Sequence, residues 1–253
     1  MNILFSLARS QDEMQFAQAM CAWLQSLLAD VLAGHSSARW QSTALDVLDS
    51  KMKGDQLAEK WGSRMDPFRI TKLMELGELT SSGYQPETES DLKQLLEVYV
   101  NPVGFDLART LGYKGRWLQP GIRSMILASL LLSELRYFNE SSGDVLLFSK
   151  QELDHAQLST EDFLSNQINE KKRRLIWKRT VFIRQLLADS VFVAADLKRK
   201  PRRAFKSWWF TQLEYTKSIE KRKYDIWNTR VHLDFVSRVQ VGFQSRFGRT
   251  TFR

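Results

Sequence analysis

The chain has 253 residues, of which 43% are hydrophobic and 26% charged, the balance of a soluble globular protein with one large core. Cys21 is the single cysteine, which excludes an intramolecular disulfide and a cysteine-based zinc site. The net charge of +8 is unevenly placed, because residues 161–253 hold 22 Lys and Arg against 9 Asp and Glu, a net charge of +13. We therefore expect a single domain with its basic character confined to the C-terminal part.

Apolar residues recur at helical spacing along most of the chain, and no alternating strand pattern persists. The strongest segments cover residues 14–32 and 120–137. Further helices are predicted at about residues 38–52, 56–61, 67–75, 89–111, 160–195, 200–226 and 229–243. The same spacing assigns Trp23, Trp177 and Phe182 to a helical core. The pattern predicts an all-α fold.

Basic residues of the C-terminal part form two dense runs. They are Lys171, Lys172, Arg173 and Arg174 in the first run, and Lys198, Arg199, Lys200, Arg202 and Arg203 in the second. A solvated helix face is one interpretation, and a surface that binds lipid headgroups, an acidic protein or nucleic acid phosphates is the other. Nucleic acid ranks last because no recognisable binding module accompanies the charge. Trp208 and Trp209 suit a membrane interface and a helix core equally well.

Several short segments, taken in order, resemble the squalene/phytoene synthase family, α-helical enzymes that join two prenyl diphosphates head to head. The stretch from Tyr215 to Arg230 is similar to the family's closing helix and its Tyr-Asp turn. Glu78, Leu79, Thr80 and Tyr84 resemble the Asp-Leu-Thr…Tyr segment, and residues 91–112 resemble the helix that follows it. The sequence LLFSKQEL at 146–153 is similar to the family's Tyr-Leu-Pro…Glu-Leu loop. The resemblance implies one isoprenoid synthase-like helical domain around a central cavity, residues 1–245, and a basic tail, residues 246–253.

The family's chemistry requires two aspartate-rich helices that hold Mg²⁺ against a diphosphate. In the first of these helices, the aspartate positions are occupied by Leu28, Ala29 and Leu32. The second can be aligned in two registers. One sets Arg136 and Glu140 at the aspartate positions, and the other matches Leu135-Arg136 to the family's Leu-Arg and sets Tyr137 and Ser141 there. Neither register gives a pair of carboxylates, so the resemblance implies a fold that has lost its metal site.

We therefore expect a non-catalytic binding or assembly factor without a resident metal or cofactor. Its expected partner is an acidic protein or an anionic membrane surface, and its cavity could hold a prenyl lipid. The chain is also similar to a phytoene-synthase-like assembly factor of mitochondrial respiratory complex I, which lacks the same aspartates. Without a predicted signal peptide or membrane-spanning stretch, the expected location is a cytoplasm or an organelle matrix, peripheral to a membrane.

The alternative is a divergent prenyltransferase that condenses prenyl diphosphates with Mg²⁺. Candidate ligand-binding residues for this reading are Glu78, Tyr84, Glu140 and Asp144. Glu134 could join Glu140 and Asp144 in one weak cation site, although solvation of a helix end explains the same residues. The sequence leaves both functions open and favours the first.

Overall fold

A computed structural model describes residues 85–100, 118–140, 148–197 and 199–248, without the side chains of residues 98–100, 140, 196, 200 and 201. These ranges contain helices α1 (Glu89–Val100), α2 (Gln119–Tyr137), α3 (Lys150–His155), α4 (Thr160–Leu164), α5 (Glu170–Ser190), α6 (Val193–Asp196), α7 (Arg199–Lys221) and α8 (Phe235–Phe247). A 3₁₀ turn, Phe138–Glu140, extends α2. The described residues contain no strand, and the predicted all-α architecture is confirmed.

The predicted helix over residues 160–195 is wrong, because the chain forms three shorter helices there. The break between α4 and α5 is stabilised by side-chain caps. Asn169 adopts an extended conformation, and its side chain accepts a hydrogen bond from the Lys172 backbone N–H at 2.9 Å. Such a cap offers the backbone an alternative to a continuous helix, and apolar periodicity does not register it.

The last helix, α8, is displaced from its predicted range of 229–243. It begins at Phe235 because the Asp234 carboxylate accepts the Ser237 backbone N–H at 2.7 Å and caps the helix. It continues through Phe247, so the first two residues assigned to the basic tail are helical. The helix ends where Gly248 passes close to α7, since a Cβ there would lie 2.8 Å from the Phe210 ring.

The core lies between α2 and α5, which make the most extensive contact among the described helices. Leu132 and Leu135 on α2, and Ile183 and Leu187 on α5, have no exposed surface. Burial of each such side chain contributes roughly 1.5–3 kcal/mol, so this interface accounts for much of the stability. The last turn of α2, where the second motif is predicted, is therefore supported by a well-packed interface.

Four aromatic rings pack edge to face beside the end of α2. They belong to Phe138, Phe148, Phe163 and Trp227, with neighbouring centroids 5.2–5.6 Å apart. The Trp227 indole N–H donates to the Phe163 carbonyl at 2.8 Å, which satisfies its polar atom within the apolar cluster. The cluster fixes the loop after α7 against α4 and the end of α2.

The sequence left open whether the two tryptophans of α7 face a membrane or lie in the helical core, and their burial decides between the two. Trp208 and Trp209 are buried, and their indole N–H groups donate to Ser129 Oγ at 3.1 Å and to the Leu187 carbonyl at 2.8 Å. The core interpretation is confirmed for this pair. It is wrong for Trp177 and Phe182, which are 45% and 44% exposed on α5, while Trp23 lies outside the described residues. Of the helices that the structure describes, none has the length and apolar character needed to cross a membrane.

Candidate functional site

Arg136 and Tyr137 occupy the last turn of α2, at the predicted second motif. The Arg136 guanidinium carbon lies 3.5 Å from the centroid of the Tyr215 ring on α7 and 5.1 Å from that of Tyr137. Its buried Nε has no hydrogen-bond partner. Stacking on Tyr215 therefore directs this cation into the angle between α2 and α7.

A second guanidinium completes this arrangement. The Arg230 guanidinium carbon lies 4.1 Å from the centroid of the Tyr137 ring. Backbone contact supports the pairing, because the Val231 N–H donates to the Arg136 carbonyl at 3.3 Å. Two cations and two phenol rings thus join α2, α7 and the loop between α7 and α8. The last turn of α2 and the loop after α7 therefore bring two positive charges close together.

Glu134 is the one carboxyl of the predicted weak cation site whose side chain is described. Burial raises its pKa from 4.5 to about 7, because the charged form loses hydration. A carboxyl with this pKa is substantially protonated at neutral pH. Across the described part of the chain, no three His, Cys, Asp or Glu side chains are grouped so that they could hold a metal ion.

The other motif positions lie outside the described residues. These are Leu28, Ala29, Leu32, Glu78, Tyr84, Ser141 and Asp144, together with the side chain of Glu140. The first aspartate-rich helix and the alternative ligand set therefore stay predictions.

The first basic run lies at the start of α5, and it is not uniformly a surface. Lys171 and Arg174 are exposed, as predicted. Lys172 is wrongly assigned to the surface, because it is fully buried and its Nζ donates to the Ser165 carbonyl at 2.6 Å and to Ser165 Oγ at 2.9 Å. Burial lowers the Lys172 pKa, and the charge of Asp162 opposes this. Arg173 is half-buried, so this run serves the fold in part.

The second basic run lines a groove of about 370 Å³ between α7 and α8. Its lining residues are Leu197, Arg199, Arg202, Arg203, Lys206, Ser245 and Arg246. Arg202 donates to the carbonyls of Ala194 and Ala195, and Lys206 donates to that of Gly248. None of the five cations forms an ion pair with a carboxylate in the described ranges. Lys198 and the side chain of Lys200 lie outside those ranges.

The sequence interpretation missed Arg246 and the outer face of α8. Phe235, Val239, Phe243 and Phe247 are spaced four residues apart and are all more than half exposed. This spacing is visible in the sequence, but the predicted helix ended at residue 243 and the residues from 246 onward were assigned to a tail. A helical wheel drawn through Phe247 would have revealed both the stripe and Arg246 beside it.

A second groove, of about 530 Å³, lies between α1, α2 and α5. Its floor includes Leu92, Leu127 and Leu175, and its rim carries charges of both signs, such as Glu89 and Lys178. The mixed rim gives no preference for the charge of a ligand.

No protein-family model and no curated protein sequence matches the chain. Among solved structures, the chain is similar to one described as the crystal structure of a dehydrosqualene synthase in complex with ligand, with a TM-score of 0.76 and 16% sequence identity. The match covers 96% of this chain and 89% of that chain. At this identity the likeness shows the fold, and it confirms the predicted all-α isoprenoid synthase fold. A shared fold does not fix an activity.

Proposed function

We propose that this chain is a non-catalytic protein with a prenyltransferase fold that acts as a binding or assembly factor. The observation that carries this proposal is the stacking of Arg136 on Tyr215 and of Arg230 on Tyr137 at the second motif. Mg²⁺ requires hard oxygen ligands, and a guanidinium supplies none and repels a divalent cation. The raised pKa of Glu134 weakens the one nearby carboxyl with a described side chain as a metal ligand.

Loss of the metal site would remove the main means of assisting diphosphate departure in this fold. A protein of this kind can still bind through its surface. The groove formed by Arg199, Arg203 and Arg246, among others, suits an anionic partner, because no described carboxylate pairs with its cations. The resemblance to an assembly factor of respiratory complex I supports the same role by analogy. A prenyl lipid in the central cavity belongs to this proposal as the expected ligand.

The alternative is a divergent Mg²⁺-dependent prenyltransferase. The fold likeness to a dehydrosqualene synthase over 96% of the chain favours it. Its metal ligands would come from Glu78, Glu140 and Asp144. The arginine stacking is the argument against it, since two guanidinium groups beside the predicted second motif would repel a divalent cation.

The proposal is tested by measuring pyrophosphate release from farnesyl and geranylgeranyl diphosphate with Mg²⁺. We expect no release above that of a protein-free control, with cooperative thermal unfolding showing that the protein is folded. Mg²⁺-dependent release that is lost in Glu140→Gln or Asp144→Asn would overturn the proposal and establish the alternative.

A further inference from the structure

The outer face of α8 is apolar and open to solvent. Phe235 is 79% exposed, Phe243 and Phe247 are each 65% exposed, and Val239 is 56% exposed. The rings of Phe243 and Phe247 contact each other, with centroids 5.0 Å apart, and form a continuous surface. The opposite face of the helix carries Val241 and Ser245 and packs against α7. Helix α8 therefore presents its more hydrophobic side outward.

A row of basic residues runs along one edge of this apolar face. Arg238 and Arg246 each precede a residue of the stripe by one position, which places them about 100° around the helix from it. Arg246 also lines the groove that contains Arg199 and Arg203. Helix α8 itself contains no acidic residue. Positive charge thus extends from the edge of the apolar stripe into the groove.

The apolar stripe and its basic edge together indicate whether a protein or a lipid bilayer binds this face. The exposed side chains of α8 offer roughly 600 Å² when each Phe counts about 200 Å², which is less than the 800 Å² that each partner of a stable protein interface buries. A second copy docked stripe to stripe would bring the Arg238 and Arg246 rows together, and like charges oppose that contact. A bilayer meets both requirements, because its acyl boundary accepts Phe and Val and its anionic headgroups accept the cations.

We propose that α8 binds in the interface of an anionic lipid bilayer, with its apolar stripe at the acyl boundary and lipid phosphates in the α7–α8 groove. The stripe comprises Phe235, Val239, Phe243 and Phe247. This inference rests on the binding role proposed above and names its partner. The protein meets the membrane through one helix lying in the plane of the surface.

The test is flotation of the full chain with vesicles of phosphatidylcholine, alone or mixed with phosphatidylglycerol. We expect binding to the mixed vesicles, weaker binding to the neutral ones, and a loss of affinity as salt is raised. The stripe variant, Val239→Ser with Phe243→Ser and Phe247→Ser, should lower affinity by more than about ten-fold. The groove variant, Arg203→Gln with Arg246→Gln, should lower it by about five-fold for each charge removed.

Matched controls come from α5, which has exposed residues of the same kinds. Trp177→Ser with Val181→Ser removes an exposed apolar pair, and Lys171→Gln with Arg174→Gln removes two exposed charges. Both control variants should bind the mixed vesicles as the unaltered chain does. All four variants change side chains at exposed positions, so thermal unfolding should show that each one folds.

Several outcomes would overturn the lipid proposal. They include a stripe variant that binds normally, control variants that lose as much affinity as the test variants, and a chain that titrates with inorganic phosphate but binds no vesicle. A dimer by light scattering that the stripe variant abolishes would assign the face to a second copy and also overturn it. Pyrophosphate release is measured separately. A chain without turnover that binds no vesicle refutes only the lipid partner, and a chain with turnover refutes the non-catalytic role.

Discussion

Two runs of basic residues that look alike in the sequence have different environments in the structure. In α5, Lys172 is buried against Ser165, and two turns later Arg179 is buried against Glu152, to which it donates at 2.8 and 3.1 Å. In α7, Arg199 and Arg203 line a groove with no described carboxylate as a partner. Part of the first run therefore stabilises the fold, whereas the second run mainly forms a surface.

The difference follows from where each cation falls on its helix. Lys172 lies four residues before Ile176, on the buried side of α5. Burial there is tolerated because fixed oxygen atoms compensate the charge. The net charge of a segment therefore does not identify a binding surface, whereas the helix face and the partners of each cation do.

The largest expected effect on stability is that of removing Arg179, one of the two buried cations of α5. Arg179→Ala should lower the free energy of unfolding by about 3–5 kcal/mol, because it leaves the Glu152 carboxylate without its buried partner. Urea unfolding measures this change. Arg174→Ala, an exposed cation of the same helix, should stay within about 0.5 kcal/mol of the original chain. Equal losses in the two variants would refute the contrast between buried and exposed cations.

The next effect depends on pH and involves Glu134, the partly buried acid of α2. The Glu134 pKa is about 7 when folded and near 4.5 when unfolded, so the folded state retains a proton that the unfolded state releases between these values. Stability should fall as pH rises from 4.5 to 7 and then level off. Glu134→Gln should therefore be more stable at pH 8, by at most about 3 kcal/mol, and equal below pH 4. Unfolding curves across this range measure it, and a constant difference between the two proteins would contradict the burial of Glu134.

A smaller effect is expected at Lys172. Lys172→Met keeps the length of the side chain but removes the charged donor to Ser165, so unfolding should become about 1.5–3 kcal/mol easier. Thermal unfolding checks this, with Lys171→Met as the exposed neighbour for comparison. If Lys172→Met is as stable as Lys171→Met, the buried amine makes no net contribution and the α5 run resembles the α7 run after all.

The smallest effect on stability is expected in the groove. Arg203→Gln with Arg246→Gln should change the free energy of unfolding by less than about 0.5 kcal/mol, because neither cation has a described carboxylate partner. The same variant should lose vesicle affinity, so flotation and urea unfolding are read on one protein sample. A large loss of stability would place these arginines with Arg179 as structural residues.

Helix α2 could be predicted from the sequence, because a long apolar period and a first-turn proline define it. Arg136 and Tyr137 in its last turn were also singled out as candidate motif residues. Their partners Tyr215 and Arg230 lie about eighty and ninety positions further along, and no local pattern connects the two pairs. Pairing across such distances is a property of the packed fold.

The outer face of α8 shows a different limit of sequence analysis. Periodicity predicts that an apolar stripe is buried, and here Val241 and Ser245 are buried while Phe243 and Phe247 face solvent. The buried side is the one with small side chains, which allow the close approach of α8 to α7 that Gly248 completes. Spacing identifies a stripe, and only the packing shows which stripe faces inward.

The most direct measurement of the central claim is a crystal structure of the protein soaked with Mg²⁺ and a non-hydrolysable thio analogue of farnesyl diphosphate. The account predicts Arg136 and Arg230 still stacked on Tyr215 and Tyr137, with no Mg²⁺ bound by side chains of the chain. A cluster of Mg²⁺ ions held by the chain's own carboxylates against the diphosphate would contradict it.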